Sequence, residues 1–281
     1  MAIETQVKLI AQNRCGALDH DKIKSHLRTK RIGSQVIVYS STASTNNVAA
    51  EYAKTKANDG LVVLAEQQTS GRGRSGNKWV TDKADSVICS ILLTECVIAS
   101  ELLSLACAVA TAEAIGKCAK TEAKIKWPND IILNNKKVAG ILVESKKVGP
   151  STTLRAGKHT AYVIGIGINC HQQKKSFPPE LQKTATSIDI ESDTVTDRIS
   201  LIRRLLVSVE HWLDIAEKKQ QKVLEHWQKL STQLNHRVAL VYNRKLFVGN
   251  CIGIDPQQGL VLQLDTGGIR MFHAAHTTIA K

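Results

Sequence analysis

Gly71-Arg72-Gly73-Arg74-Ser75-Gly76 places two guanidinium groups on a backbone with three glycines in six residues. Ordering so free a loop costs conformational entropy, which an anionic ligand gripped by both arginines would offset. The run also reads as a solvated turn or as a short RGG-like nucleic-acid segment. Lys126-Trp127-Pro128-Asn129-Asp130 gathers a cation, a large aromatic, a fixed φ, an amide and a carboxylate at one strand end, where functional groups are commonly held. Its plain alternative is a surface turn with Trp127 in the core and Asn129 and Asp130 bonded to local backbone. Lys137 stands beside Ala139-Gly140, where a missing side chain lets a ligand approach the backbone, so it is placed to hold a phosphate or merely to be solvated. Gly165-Ile166-Gly167-Ile168-Asn169 fails the dinucleotide fingerprint, because GxGxxG needs glycine where this chain has Cys170. It remains a strand lacking two side chains and ending in an amide, suited either to reading a base edge or backbone or to simple packing.

The elements that must position these groups follow from hydrophobic period and turn chemistry. Alternation over 35–39 predicts a strand, and Ser44, Thr45 and Asn46 offer capping oxygens just before the helix-forming VAAEYAK. The short apolar run 61–65 suits a buried strand, the aperiodic stretch 66–79 a loop, and SVICSILL another strand. An Ala-rich helix follows, with Leu102, Leu105, Ala106, Val109 and Ala112 on one core-facing stripe. KIKW, DIIL and KVAGILVES form a hairpin-like series with turns at Pro128-Asn129-Asp130 and Asn134-Asn135, and TAYVIGIGINC is a further central strand. Residues 198–230 are expected to be helical, and the last fifty or so to be short strands separated by turns at Asn243, Asp255-Pro256 and Gly267-Gly268. Near the N-terminus two short helical patterns, Ile3/Val7/Ile10 and Leu18/Ile23/Leu27, precede the first strand, the second with an exposed basic run over 22–31.

Composition bounds these readings. The 281 residues are 43% hydrophobic and 22% charged, which is ordinary globular usage and excludes disordered, collagenous and coiled-coil chains. That length gives one large domain, or a core of about 200 residues with a small satellite. No stretch reaches the ~18 uninterrupted apolar residues of a membrane span, and the N-terminus lacks an apolar signal core, so a cytoplasmic protein with no membrane partner is expected. Seven cysteines without a CxxC pair are expected to be reduced and mostly buried. The 38 basic against 25 acidic residues, net +13, suit a nucleic acid, an acidic protein or a phosphorylated ligand equally.

Taken together, Ser44-Thr45-Asn46, Gln68 with the Gly71 to Trp79 loop, Lys126-Trp127-Pro128-Asn129-Asp130, Lys137-Val138-Ala139-Gly140-Ile141-Leu142-Val143-Glu144 and Gly165-Ile166-Gly167-Ile168-Asn169 occur in the order and approximate spacing of biotin protein ligases. The chain resembles that family from about Val36 to its C-terminus. The resemblance implies an α/β (α+β) fold: a mixed-sheet catalytic domain over 35–232, a small SH3-like β-barrel domain over 233–281, and an N-terminal helical segment over 1–34. It implies ATP-dependent formation of biotinyl-5'-AMP and pyrophosphate, then transfer of biotin to a lysine of the biotin carboxyl carrier protein of acetyl-CoA carboxylase. By the same resemblance Ser44, Thr45, Asn46, Gln68, Gly71, Arg72, Lys137 and Gly140 contact biotin, while Arg74, Trp79, Asn129, Lys137 and Asn169 contact the nucleotide. Lys137, Arg72, Arg74 and Asp130 form the implied catalytic set, with Mg2+ arriving as part of MgATP and no metal ligands assigned. Physical logic agrees, because a carboxylate and a polyphosphate repel and three cations with a magnesium ion relieve that repulsion. Attack by a carboxylate also needs no protein nucleophile, in keeping with the lack of a Ser/His/Asp or Cys/His arrangement in these motifs.

Two departures from the family pattern matter. Ser75 and Asn77 stand where many relatives have larger or basic residues, which implies a less cationic loop and altered adenylate release. Only about thirty-five residues precede the first strand, against roughly sixty for a winged helix-turn-helix, so a monofunctional enzyme without sequence-specific DNA binding is expected. A lipoate or octanoate ligase shares the fold, but its run of consecutive glycines is absent. A DNA-binding biotin repressor or other nucleic-acid protein would account for the charge, yet aromatics are only 4% of the chain and do not interleave with the arginines. Whether the protein is a monomer or a homodimer is open at this level.

Overall fold

The computed structural model describes residues 16–148, 159–192 and 195–280, so the Ile3/Val7/Ile10 pattern and Cys15 lie outside the described residues. Leu18 and Ile23 are buried and draw the first short helix, α1 (His20–Lys24), onto the body, with the Asp19 side chain capping Lys22 N. The alternating segment forms β1 (Val36–Tyr39), and α2 (Thr45–Glu51) follows. Ser44 holds the N-cap position of α2 but makes no side-chain capping bond, so its hydroxyl remains available to the site. β2 (Val62–Ala65), buried at every residue, pairs in parallel with β1, and β3 (Ser86–Leu93) pairs antiparallel with β2.

The Ala-rich run forms α3 (Ser100–Ala119), ended by Lys120 in the left-handed region at φ 53. By length and composition this helix could cross a membrane, but most of it is buried in the core. β4 (Lys124–Lys126) and β5 (Asp130–Leu133) make a hairpin across a cis Trp127–Pro128 peptide. Asn134 and Asn135, at φ 45 and 64, then turn the chain into β6 (Lys136–Val148), which pairs with β7 (His159–Asn169). These strands form one mixed sheet in the order β1-β2-β3-β7-β6-β5-β4.

After α4 (Ile188–Glu191), the region expected as one helix is two, α5 (Arg198–Lys218) and α6 (Gln220–Leu230), because Lys219 leaves helical conformation at φ −147, ψ 57. α3 packs against α5 and α6 and lines one face of the sheet. The core-facing stripe expected of α3 is buried, and its small side chains let sheet and helices close in further, burying Leu103, Cys107, Ala108 and Ala110 as well. On the opposite face Ala49 of α2 and Ala53 of the 3-10 turn that follows it pack against Leu61, Val63 and Leu92, leaving the neighbouring strand ends for the site.

The C-terminal strands β8 (Arg237–Tyr242), β9 (Lys245–Asp255), β10 (Gly259–Leu264), β11 (Ile269–Phe272) and β12 (Thr277–Ile279) form an antiparallel sheet in the order β11-β10-β9-β8-β12. The Gln233 side chain fastens this unit to the β4–β5 turn, accepting from Trp127 N at 2.6 Å and donating to Trp127 O at 3.2 Å. The six cysteines among the described residues are free thiols, four of them buried.

Candidate active site

The floor of the site is a patch of missing side chains. Register pairs Gly140 with Gly167 and Leu142 with Gly165 on adjacent strands β6 and β7. A Cβ on Gly165 would stand 2.4 Å from Asn46 Oδ1, and one on Gly167 would stand 2.4 Å from Trp79 Cε2. A side chain at either position would displace Asn46 or Trp79, so the GxG run lets both lie against the sheet. Trp79 Nε1 is buried there without a hydrogen-bond partner. An orphaned donor in a cavity is costly, and a ligand acceptor would relieve it.

One wall is a polar network at the start of α2. Thr45 donates from its backbone N and its Oγ1 to Gln68 Oε1, at 2.8 and 3.1 Å. Ser90 Oγ lies 2.7 Å from Thr45 Oγ1 and 2.6 Å from Asn46 Oδ1, and Asn46 Nδ2 donates to Glu144 Oε2 at 2.7 Å. Ser44, Thr45, Asn46 and Ser90 are all buried, so their rotamers are fixed before any ligand arrives. Such a set of donors and acceptors suits a compact polar head group with both kinds of atom.

The Gly71 to Trp79 loop, expected from its sequence to close on an anionic ligand, is already laced by hydrogen bonds of its own. Arg72 bridges to Lys78, Gly73 N donates to Asn77 O at 2.7 Å and Trp79 N to Gly71 O at 3.0 Å, with Ser75 and Gly76 turning the chain at φ 54 and 78. The protein supplies its own partners: Arg72 Nη2 donates to both Glu144 oxygens at 3.0 and 2.9 Å and Nη1 to Asn47 Oδ1. Both members of the Arg72–Glu144 pair are more than a third exposed, so the bond is weak and open to exchange for a ligand anion. Arg74 reaches further, donating to the Ala274 and Thr277 carbonyls of the C-terminal sheet and to Asn129 Oδ1 at 3.4 Å. Burial lowers the Arg74 pKa, while the Glu101 and Asp130 charges oppose that shift.

Lys137 closes the other side. A bulge between Ile131 and Ile132 interrupts the β5–β6 ladder opposite it, and its ammonium sits 2.6 Å from Asp130 Oδ1 and 5.7 Å from the centroid of the Trp79 ring. Asn129 is fixed by donating to Ile141 O at 3.1 Å. The cavity these groups enclose has a volume of about 200 Å³ and is bordered by Arg72, Arg74, Lys78 and Lys137 against one carboxylate, Asp130. Its charge therefore calls for an anionic ligand. Cys89 borders it too, but burial pushes that thiol up to about 12, so it is protonated and not a nucleophile at neutral pH.

The structure thus brings Ser44, Thr45, Asn46, Gln68, Arg72, Arg74, Trp79, Asn129, Asp130, Lys137 and Gly140 around one cavity. Gly71 stands just behind, against Gln68 and the Trp79 carbonyl. Asn169 is not on the lining: it is buried, donating to Thr186 O at 2.9 Å and facing Gln172 Nε2 at 3.4 Å. Sequence reasoning did not single out Ser90, although a serine inside SVICSILL signals a buried hydroxyl that needs a partner. It also missed Thr277 and Thr278, which reach the cavity from the C-terminal sheet and carry no local signal.

Residues 38–169, which hold every motif of the cavity except those from the C-terminal sheet, match the Biotin/lipoate A/B protein ligase family. The bifunctional ligase/repressor BirA of Bacillus subtilis is 30% identical over 262 residues, covering 92% of this chain and 78% of that protein. A biotin--[acetyl-CoA-carboxylase] ligase of Mycobacterium tuberculosis is 30% identical over 209 residues, 68% of this chain and 73% of that one. Among solved structures, the biotin protein ligase from Aquifex aeolicus in complex with biotin and ATP superposes with a TM-score of 0.72 at 23% identity, covering 88% of this chain and 99% of that chain. Similarity of this extent over nearly the whole sequence, with a shared fold and the motifs gathered at one cavity, makes the chain a member of the Biotin/lipoate A/B protein ligase family.

Proposed function

We propose that this protein is a biotin-[acetyl-CoA-carboxylase] ligase that activates biotin with MgATP as biotinyl-5'-AMP and passes it to a lysine of a biotin carboxyl carrier protein. The observation that carries the reading is the meeting, in one cavity, of a fixed amide and hydroxyl set (Ser44, Thr45, Asn46, Gln68) with the cations Arg72, Arg74 and Lys137. The first matches a ureido ring, which both donates and accepts; a dithiolane or an alkyl tail would offer these groups no hydrogen-bond partner in exchange. The second matches a carboxylate and an α-phosphate that must approach each other.

In the first step a biotin carboxylate oxygen bonds to the α-phosphorus, the bond from that phosphorus to the α,β-bridging oxygen breaks, and pyrophosphate leaves. Lys137 exchanges Asp130 for the negative charge that grows around phosphorus, and Arg72 exchanges Glu144 for the same purpose. In the second step the neutral amine of the carrier lysine attacks the acyl carbon, the acyl–phosphate bond breaks and AMP leaves. Asp130, released from Lys137, is the lining carboxylate placed to take the amine proton. Mg2+ belongs to the nucleotide substrate, and no group of three or more metal-ligating side chains occurs among the described residues.

The reading assigns no operator-binding role to the basic 22–31 run. Lys24 Nζ donates to Ser34 O at 2.9 Å, and the backbone N–H groups of Lys30, Arg31 and Ile32 are held by Glu210 at 2.7 to 2.8 Å, so this segment is a clamped part of the catalytic body. It also places the enzyme in the cytoplasm with its carrier. The test is thermal: biotin with MgATP should raise the melting temperature beyond the rise given by either alone, because the adenylate binds only the folded state. An equal rise with lipoate and MgATP would move the reading to lipoate ligation.

A further inference from the structure

Glu101 lies in the first turn of α3 and is only 3% exposed, yet no step above uses it. A carboxylate is rarely buried so fully unless it is paired. Its Oε1 accepts from Ala274 N at 2.6 Å and stands 3.0 Å from His273 Nδ1. Both partners belong to the turn between β11 and β12. The carbonyl of the same Ala274 accepts from Arg74 Nη2, and Thr277 O, 3.4 Å away, is a longer contact of that nitrogen. Arg74's other hydrogen bond, to Asn129, is also long at 3.4 Å. Ala274 therefore stands between a carboxylate at its N–H and a guanidinium at its C=O, and both charges strengthen their bonds to it. The turn backs onto a second cavity of about 110 Å³ bordered by Ser100, Ser104 and Pro128, so packing alone leaves it room to shift.

We infer that Glu101 is a positioning residue: acting through Ala274, it sets where Arg74 stands over the cavity, and so couples the C-terminal sheet to closure of the 71–79 loop on the nucleotide. The inference rests on the reading of Arg74 as a nucleotide-side residue of a biotin ligase. A carboxylate near a helix N-terminus also stabilises that helix through its dipole, which is the purely structural alternative.

Glu101→Ala, Glu101→Gln, Arg74→Ala and the Glu101→Ala/Arg74→Ala double variant separate the two, compared by hydrogen exchange across 71–79 and by pyrophosphate release from biotin and MgATP. The amides of Gly73 and Trp79, bonded within the loop, report its closure directly. In Glu101→Ala their exchange should quicken about tenfold and the KM for ATP should rise about tenfold, with the KM for biotin unchanged. Glu101→Gln keeps an acceptor for Ala274 N–H and should recover most of the loop protection. Glu101→Ala should add nothing to Arg74→Ala, since its effect passes through that arginine. Should Glu101→Ala not fold, Ala274→Pro removes the same hydrogen bond at the first position of a helical turn, where proline is tolerated and His273 is already extended at ψ 132. It should reproduce the faster loop exchange.

Wild-type loop exchange in Glu101→Ala or Ala274→Pro, or full additivity with Arg74→Ala, would overturn the inference. If the wild-type protein makes no adenylate from biotin while loop exchange still answers to Glu101, the positioning role stands and the biotin reading falls.

Discussion

Lys137 is the residue on which the chemistry turns most sharply. Its ammonium is held between Asp130 and the Trp79 ring, beside the glycine patch where the reacting anions must lie. A fixed cation at that point acts on charge that builds only in the transition state, so it should govern rate more than ground-state affinity. Lys137→Ala should slow adenylate formation by on the order of a hundredfold, with biotin affinity measured without ATP nearly unchanged. Single-turnover pyrophosphate release beside calorimetric biotin binding checks this, and synthetic biotinyl-5'-AMP should partly rescue transfer to the carrier. At this scale the sequence was informative wherever several chemical groups shared one short motif, as in the Gly71 to Trp79 loop and the pentad ending at Asp130. It was silent where a residue acts through a distant backbone, as Glu101 does on Ala274, because neither partner carries a local mark of the contact.

At the scale of elements, the central strands β2, β3 and β5 were legible because each is a short apolar run, and the others because turn formers or alternation mark them. The Asn134-Asn135 and Gly267-Gly268 turns both appear with positive φ, as their residues favour. The helices were less so: the stripe read on α3 is core, but the burial of its other faces had no mark in the pattern, and the break at Lys219 has neither proline nor glycine to announce it. The loop's own partners were illegible for a different reason, since Glu144 and Ala274, which hold Arg72 and Arg74, lie about 70 and 200 residues away in the chain. Long-range carboxylates also hold the N-terminal segment. Asp59 accepts from Arg31 and from the backbone N–H groups of Thr94 and Glu95. Burial pushes its carboxyl up, but the Arg31 bonds and the two N–H groups outweigh that and hold it below its usual value of 3.8. A folded value below the unfolded one means stability present above the unfolded pKa and lost as pH falls through the folded one. Asp59→Asn should therefore cost about 1 kcal/mol at pH 7, allowing for partial solvent screening. Urea melts should show the gap to wild type closing below about pH 4; a gap constant with pH would assign the effect to geometry rather than charge.

The molecule as a whole places one ligand cavity between two sheets. The mixed sheet supplies the floor, α2 and the loop supply the walls, and Thr277 and Thr278 complete the rim from the C-terminal sheet. That division explains why the site could not be read entirely from the motif-rich region: part of it is contributed by strands whose only visible property is alternation. Four cations border the cavity, so some of the net +13 of the chain serves its anionic substrates. In this molecule the cavity is where biotin is joined to AMP. The most direct measurement is mass-spectrometric identification of the acyl-adenylate formed when the purified protein meets MgATP with equal concentrations of biotin, lipoate and octanoate. Biotinyl-5'-AMP should be the predominant adenylate, with one pyrophosphate released for each; a lipoyl or octanoyl adenylate formed in preference would show that the cavity is built for another acid.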